Sequence, residues 1–160
     1  MNASVTLNRL AERFPGSIID THSHRGDDTA VVKREDIRAI CAFLREDEGL
    51  LYNFMMDLTA VDYLGQEPRF EVVYHLYFLK YNRRVRIKAR VPESDCSIDS
   101  VVPVWPCANW FEREVFDLYG VSFNDHPEMR RILLYEGFEG HPLRKDYPIK
   151  KRQPLIGPIN

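Results

Sequence analysis

The sequence predicts a two-layer α+β domain in the order helix, two strands, helix, three strands, followed by a further helix and a long extended C-terminal arm. Three observations carry this expectation. Apolar residues recur at helical spacing in two early segments, the period shifts to that of strands from Leu51, and periodicity is lost after Gly120. They divide the chain into a core over 1–120 and an extended docking arm over 121–160.

Leu7, Leu10, Ala11 and Phe14 fall at i, i+3, i+4 and i+7, one face of a short helix that Pro15-Gly16 ends. Ser17 to Ser23 and Thr29 to Lys33 contain β-branched residues and flank Arg25-Gly26-Asp27-Asp28, which predicts a hairpin with a loop of several residues. Ile37, Ile40, Cys41 and Leu44 repeat the helical face, Glu35 and Asp36 suit its first turn, and Gly49 is placed to cap its end. Cys41 then points into the core as an inert thiol.

Leu51–Val61, Phe70–Lys80 and Val85–Val91 read as three consecutive antiparallel strands joined through Gly65-Gln66-Glu67-Pro68 and Asn82-Arg83-Arg84. In the last, Val85, Ile87, Ala89 and Val91 alternate with Arg86, Lys88 and Arg90, so one face is core and the other cationic. Pro92 stops the strand, and Glu93–Ser97 is expected to be a polar connection. Ala108–Gly120 returns to helix, with Phe111, Val115 and Leu118 on one face and Gly120 suited to the C-cap. Glu112 and Glu114 flank that face, whereas Trp110 and Phe116 point away from it and need a second surface. Beyond Gly120 lie Pro127, Pro142, Pro148, Pro154 and Pro158, with Phe123, Tyr135, Phe138 and Tyr147 between them. Seven Arg or Lys against five Asp or Glu give this segment a charge of +2. A basic, aromatic, proline-punctuated segment suits lying across another surface.

With 160 residues, 44% hydrophobic and 29% charged, the chain has the composition of one globular domain rather than a disordered one. The net charge of −2 provides no global attraction for a polyanion. The longest nearly apolar stretch, Val72 to Leu79, is far short of the roughly 20 residues of a membrane helix. The start, Met1-Asn2-Ala3-Ser4, lacks the basic region of a secretory signal, so an intracellular protein is expected. Cys41, Cys96 and Cys107 form no C-x-x-C pair and read as reduced thiols, which argues against a zinc or iron–sulfur site.

Three constellations invite chemistry. His22 and His24 share a strand face in Asp20-Thr21-His22-Ser23-His24, an H-x-H pair like those opening the metal sites of hydrolase barrels, but such a barrel needs about 250 residues. Polar histidines on a half-exposed strand explain the pair more simply. Arg83, Arg84, Arg86, Lys88 and Arg90 beside Tyr74, Tyr77 and Phe78 resemble a platform for single-stranded RNA; solvated or partner-facing cations give the same alternation. Glu112 and Glu114 could be an acid and base pair, yet glutamates two apart on a helix diverge by about 200°. They read better as anchors for Arg130, Arg131 or Arg144 of the crossing tail. Glycine-rich nucleotide motifs and the serine-hydrolase elbow are absent.

At this helix and tail the sequence resembles a known family. Glu112-Arg113-Glu114, Asp117-Leu118-Tyr119, His126 and Arg130-Arg131-Ile132-Leu133 are similar to the signature of the C subunits of the proton-pumping NADH:quinone oxidoreductase, respiratory complex I. The likeness takes in Leu58–Tyr63, Phe70–Leu76, Trp105-Pro106 and Ala108–Trp110 upstream. Downstream it includes Gly140-His141-Pro142-Leu143-Arg144-Lys145-Asp146-Tyr147-Pro148, so that it covers roughly residues 15–150. Asn124-Asp125 departs from the Glu-Gly common in the family, and the length matches the unfused form. Related subunits occur in membrane-bound hydrogenases and ferredoxin-dependent complexes.

The resemblance implies a non-catalytic structural and assembly component of the hydrophilic arm, on the cytoplasmic side of the bacterial inner membrane, associated with the membrane only through the complex. It implies no catalytic, cofactor-binding or metal residues here, and flavin, iron–sulfur clusters and quinone in neighbouring subunits, with the D, B and I subunits adjacent. Glu112, Arg113, Glu114, Asp117, His126, Arg130, Arg131, Pro142, Leu143, Arg144, Lys145, Asp146, Tyr147 and Pro148 would then be signature residues and contacts to other subunits, with Gly140–Pro148 reaching the neighbours. An RNA-binding module and a small metal-dependent hydrolase are the readings from other functional classes.

Overall fold

The computed structural model describes residues 4–154, so Met1 to Ala3 and Pro158 of the sequence reading lie outside the described residues. Helix α1 (Val5–Arg13) is capped by Ser4, whose hydroxyl accepts the Leu7 N–H at 3.1 Å. Strands β1 (Ile18–His24) and β2 (Asp27–Val32) form the expected hairpin. Its loop is shorter than the sequence suggests. Arg25 (φ 53°) and Gly26 (φ 90°) alone make the turn, both in the left-handed region that suits the twist of a two-residue connection.

Helix α2 (Ile37–Glu46) buries Ile37, Ile40, Cys41 and Leu44, as its spacing requires. Gly49 is not its cap: the helix ends at Asp47, whose carboxylate accepts the Gly49 N–H and pairs with Arg9 of α1. Strands β3 (Phe54–Asp62), β4 (Phe70–Phe78) and β5 (Arg83–Val91) form the antiparallel meander. The five strands make one sheet in the order β1-β2-β5-β4-β3, in which β2 runs parallel to β5. One face, with Val72, Tyr74, Leu76, Val85, Ile87 and Ala89, shares a single core with the helices. The other carries Glu71, Val73, His75 and Tyr77 on β4 against Arg90, Lys88, Arg86 and Arg84 on β5.

Two short strands depart from the sequence reading. β6 (Ser97–Asp99) starts at the end of the polar connection and pairs in parallel with β7 (Ser122–Asn124), which follows helix α3 (Ala108–Tyr119) and falls in the segment whose sequence shows no strand period. Val121 and Phe123 are core residues. The core therefore continues to Asn124 instead of ending at Gly120; three-residue strands are too short to show a period.

Candidate functional site

Several of the polar residues singled out in the sequence gather around α3, and two of its carboxylates are fully buried. Glu112 Oε2 accepts the Ser100 hydroxyl at 2.7 Å and Oε1 the Val101 N–H at 2.7 Å. Burial pushes its carboxyl up to about 7 against the lowering effect of those bonds. His126 Nε2 lies 4.0 Å from Glu112 and 3.1 Å from the Asn109 carbonyl, while Nδ1 accepts the Glu128 N–H at 2.9 Å. An accepting Nδ1 puts the proton on Nε2, and burial lowers the imidazole from its ordinary value. The ring is a neutral donor to a carbonyl, and Glu112 is not ion-paired to it.

Five residues on, Asp117 is the anchor of the tail. Its Oδ2 accepts the N–H groups of Ile132, Leu133 and Leu134 at 3.1, 2.8 and 2.8 Å, and Arg131 reaches Oδ1 at 2.6 Å. Burial alone would raise this carboxyl, but the bonds from Leu134, Arg131, Leu133 and Ile132 hold it below the usual carboxylate range. Arg113 completes the clip by donating to the carbonyls of Arg130 and Arg131 at 3.1 and 3.2 Å.

The glutamates therefore do not hold the tail arginines. Glu114 is exposed and makes no ion pair or hydrogen bond among the described residues. Arg130 pairs with Glu128 at 2.6 Å on the surface. Asp117 takes the anchoring role because its shorter side chain sits beside the crossing backbone, where it can collect three N–H groups at once.

The segment Gly140–Pro148 folds back on its own chain while leaving Leu143 and Pro148 exposed. Helix ends leave carbonyls unpaired, and at α3 the tail supplies the donors. His141 Nδ1 donates to the Asp117 carbonyl at 2.9 Å, the Leu143 N–H to Leu118 at 3.1 Å, and Arg144 Nε to Tyr119 at 2.5 Å. Gly120 permits this twice over: it adopts φ 76°, and a Cβ there would stand 2.6 Å from the His141 ring. Pro142 is partly buried, and Leu143 projects its side chain outward. Lys145 is used through its backbone, its N–H meeting Asp62 Oδ2 at 2.8 Å. Arg69, nearly buried, forks onto Asp62 with two 2.9 Å bonds and onto Asp146 at 2.8 and 3.1 Å, with Glu93 also at 2.7 Å. Tyr147 stacks on Phe138, whose edge meets Tyr135, so these tail rings partner one another; Pro148 is exposed.

Nothing in the sequence marks Asp62, Arg69 or Ser100 as anchors. Arg69 and Asp146 are 77 residues apart, so no spacing connects them. His22 and His24 lie exposed on β1, and among the described residues no group of three His, Cys, Asp or Glu is placed to hold a metal.

Residues 30–153 match the family described as the respiratory-chain NADH dehydrogenase 30 kDa subunit. The chain belongs to this family. A relative from Geobacter metallireducens, by name the C subunit of NADH-quinone oxidoreductase, is 54% identical over 95% of this chain and 94% of its own length. The same-named protein of Geobacter sulfurreducens is 54% identical over the same shares. Among solved structures, a trypsin-resistant fragment of Nqo5 superposes with a TM-score of 0.63 and 30% identity, over 77% of this chain and 98% of the fragment. A chain of the membrane-bound sulfane sulfur reductase, an archaeal respiratory membrane complex, reaches a TM-score of 0.78 at 25% identity over 90% of this chain and 84% of its own. The side chains of Asp117, Arg113, Arg131, His141 and Arg144 tie the tail to α3.

Proposed function

We propose that this chain is the C subunit of an NADH-quinone oxidoreductase and acts as a non-catalytic structural and assembly component, supporting electron transfer from NADH to quinone coupled to proton translocation. The 54% identity spanning nearly the whole of both chains carries this reading. The site supports it too: Glu112, Asp117, Arg113, Arg131 and Arg69 satisfy one another or the backbone, which fits groups spent on rigidity rather than on a substrate. Flavin, iron–sulfur clusters and quinone belong, in this reading, to neighbouring subunits, with those resembling D, B and I as the adjacent partners. The chain is peripheral on the cytoplasmic side of the inner membrane and held there by the assembly; no helix among the described residues is long and apolar enough to cross a bilayer.

The fold shared with the sulfane sulfur reductase favours one second reading, an equivalent place in a related respiratory complex with another electron donor. One experiment tests both. A tagged chromosomal copy purified from host membranes is expected to bring down NADH:quinone oxidoreductase activity with flavin and iron in the partner chains. Co-purification of a complex that oxidises reduced ferredoxin and not NADH supports the second reading, and recovery of the chain alone overturns both.

A further inference from the structure

We propose that the Arg84–Arg86 end of the outer sheet face docks an acidic segment of another protein in the assembly, with an apolar side chain of that segment seated in the adjoining cleft. The inference deepens the reading proposed above and rests on it. Of the four cations that β5 turns outward, two already meet a carboxylate. Lys88 Nζ and Arg90 Nε reach the buried Glu71 at 2.9 and 2.8 Å. Arg84 and Arg86 have no carboxylate within 4.0 Å among the described residues. Arg84 lies over the Tyr77 ring, 5.5 Å from its centre, and Arg86 donates to Thr29 Oγ1 at 3.2 Å. Arg83, next along the strand, lies 5.4 Å from the centre of the Tyr81 ring. These guanidiniums are held in place while their charge is left for something else.

Beside them opens a cleft of about 280 Å³ whose apolar lining comes from Met56, Leu76 and Val85 and whose polar lining includes His75, Arg84 and Arg86. The register places Phe54 opposite Tyr77 and Tyr77 opposite Arg84, and Phe54, Met56, Leu79 and Tyr81 are all exposed. Arginine among exposed aromatic and methionine side chains is the composition enriched in protein interfaces. Charge complementarity then specifies carboxylates, which a guanidinium fork binds in two-point fashion.

RNA, the other polyanion such a hairpin could serve, fits less well. A phosphate backbone needs a continuous cationic track. Here the track stops at Glu71, which takes up Lys88 and Arg90; Asp27 and Asp57, which also line the cleft, limit the site to a short acidic segment that meets Arg84 and Arg86 directly.

The test uses the full-length tagged chain in its own membranes. Reversing both charges, Arg84→Glu with Arg86→Glu, is expected to lower recovery of the assembled complex at least tenfold relative to wild type. Arg45→Glu, at an exposed position on α2, is the control and should change nothing. The melting temperature of the purified double variant should stay within a few degrees of wild type. In a second arm, the Arg84→Lys variant within the purified complex is treated with a zero-length carbodiimide. The expected product is an amide cross-link from position 84 to an Asp or Glu of another chain of the complex.

Assembly of the double variant at wild-type level, or a cross-link confined to Asp27 or Asp57 of the same chain, would overturn the proposal. Binding of a single-stranded oligonucleotide by the free chain, lost in the double variant while the complex still assembles, would reassign the face to RNA. Failure of the wild-type chain to co-purify with any complex would overturn the reading of its function and this proposal with it.

Discussion

Glu112 and Asp117 stand five residues apart on one helix, equally shut off from water, and their surroundings drive their carboxyls in opposite directions. Two neutral donors and no guanidinium in hydrogen-bond reach leave Glu112 raised to about 7 by burial. A group whose folded value lies above its unfolded one stabilises most fully at low pH, and that contribution fades as pH rises through the folded value. Glu112→Gln keeps both bonds, because an amide can accept from Val101 and donate to Ser100, and it removes the titration. Stability measured by urea unfolding between pH 5 and 8 should therefore fall less with pH in the variant, by up to about 1.4 kcal/mol per pH unit. His126 and His141, lowered by burial, contribute the opposite slope to both proteins, so the difference between variant and wild type isolates Glu112.

Asp117 is the reverse case. Asp117→Asn leaves Arg131 and three backbone N–H groups facing an uncharged and partly mismatched amide, and should cost roughly 3 kcal/mol of unfolding free energy. Glu114→Gln, next to Arg113 in sequence but itself exposed and unpaired among the described residues, should stay within about 0.5 kcal/mol of wild type in the same assay. Equal effects of the two substitutions would show that the tail is not anchored through Asp117.

Among the elements, the tail is irregular and yet closely tied. It carries almost no repeating hydrogen-bond ladder of its own. The ends of α3 and β3 provide the fixed points, through three helix carbonyls and the Asp62–Arg69–Asp146 group. Hydrogen bonds from Arg69 lower the carboxyls of Asp62 and Asp146, as the tail bonds lower Asp117. Lowered carboxyls stabilise above their unfolded values, about 4, and lose that contribution as pH falls through the folded ones. Protection of the 130–148 amides, taken relative to their intrinsic exchange rates at each pH, should therefore fall below about pH 4 while the β4 and β5 amides remain protected. Simultaneous loss of protection in both would mean that the tail has no separate opening.

The α3 period, its Gly120 cap and the proline density beyond are legible in the sequence, because each is a local rule. Which acid holds the tail is not. A helical wheel ranks Glu112, Glu114 and Asp117 by direction only, and the choice among them is made by where a backbone 15 residues later crosses the helix.

For the molecule as a whole, the order of elements is legible because every main helix and strand announces its own period. Pairing across the chain is not. The antiparallel meander follows from short connections, but the parallel contact of β2 with β5, and of β6 with β7, joins segments with no turn between them. Asp28 pairs with Val85, 57 residues later (85 − 28). During synthesis at roughly 5–20 residues per second, β2 waits several seconds for its partner, with one ladder edge open and Ala30 and Val32 not yet covered. A fragment ending at residue 81, before β5, should scatter light and pellet, whereas one ending at residue 124, which completes both sheets, should remain in solution. An unpaired strand edge is a template for any other strand that meets it. The hazard of clumping in the cell thus resides in the orderly N-terminal hairpin during its wait, and the irregular C-terminal stretch, emerging onto a finished surface, has its docking points ready.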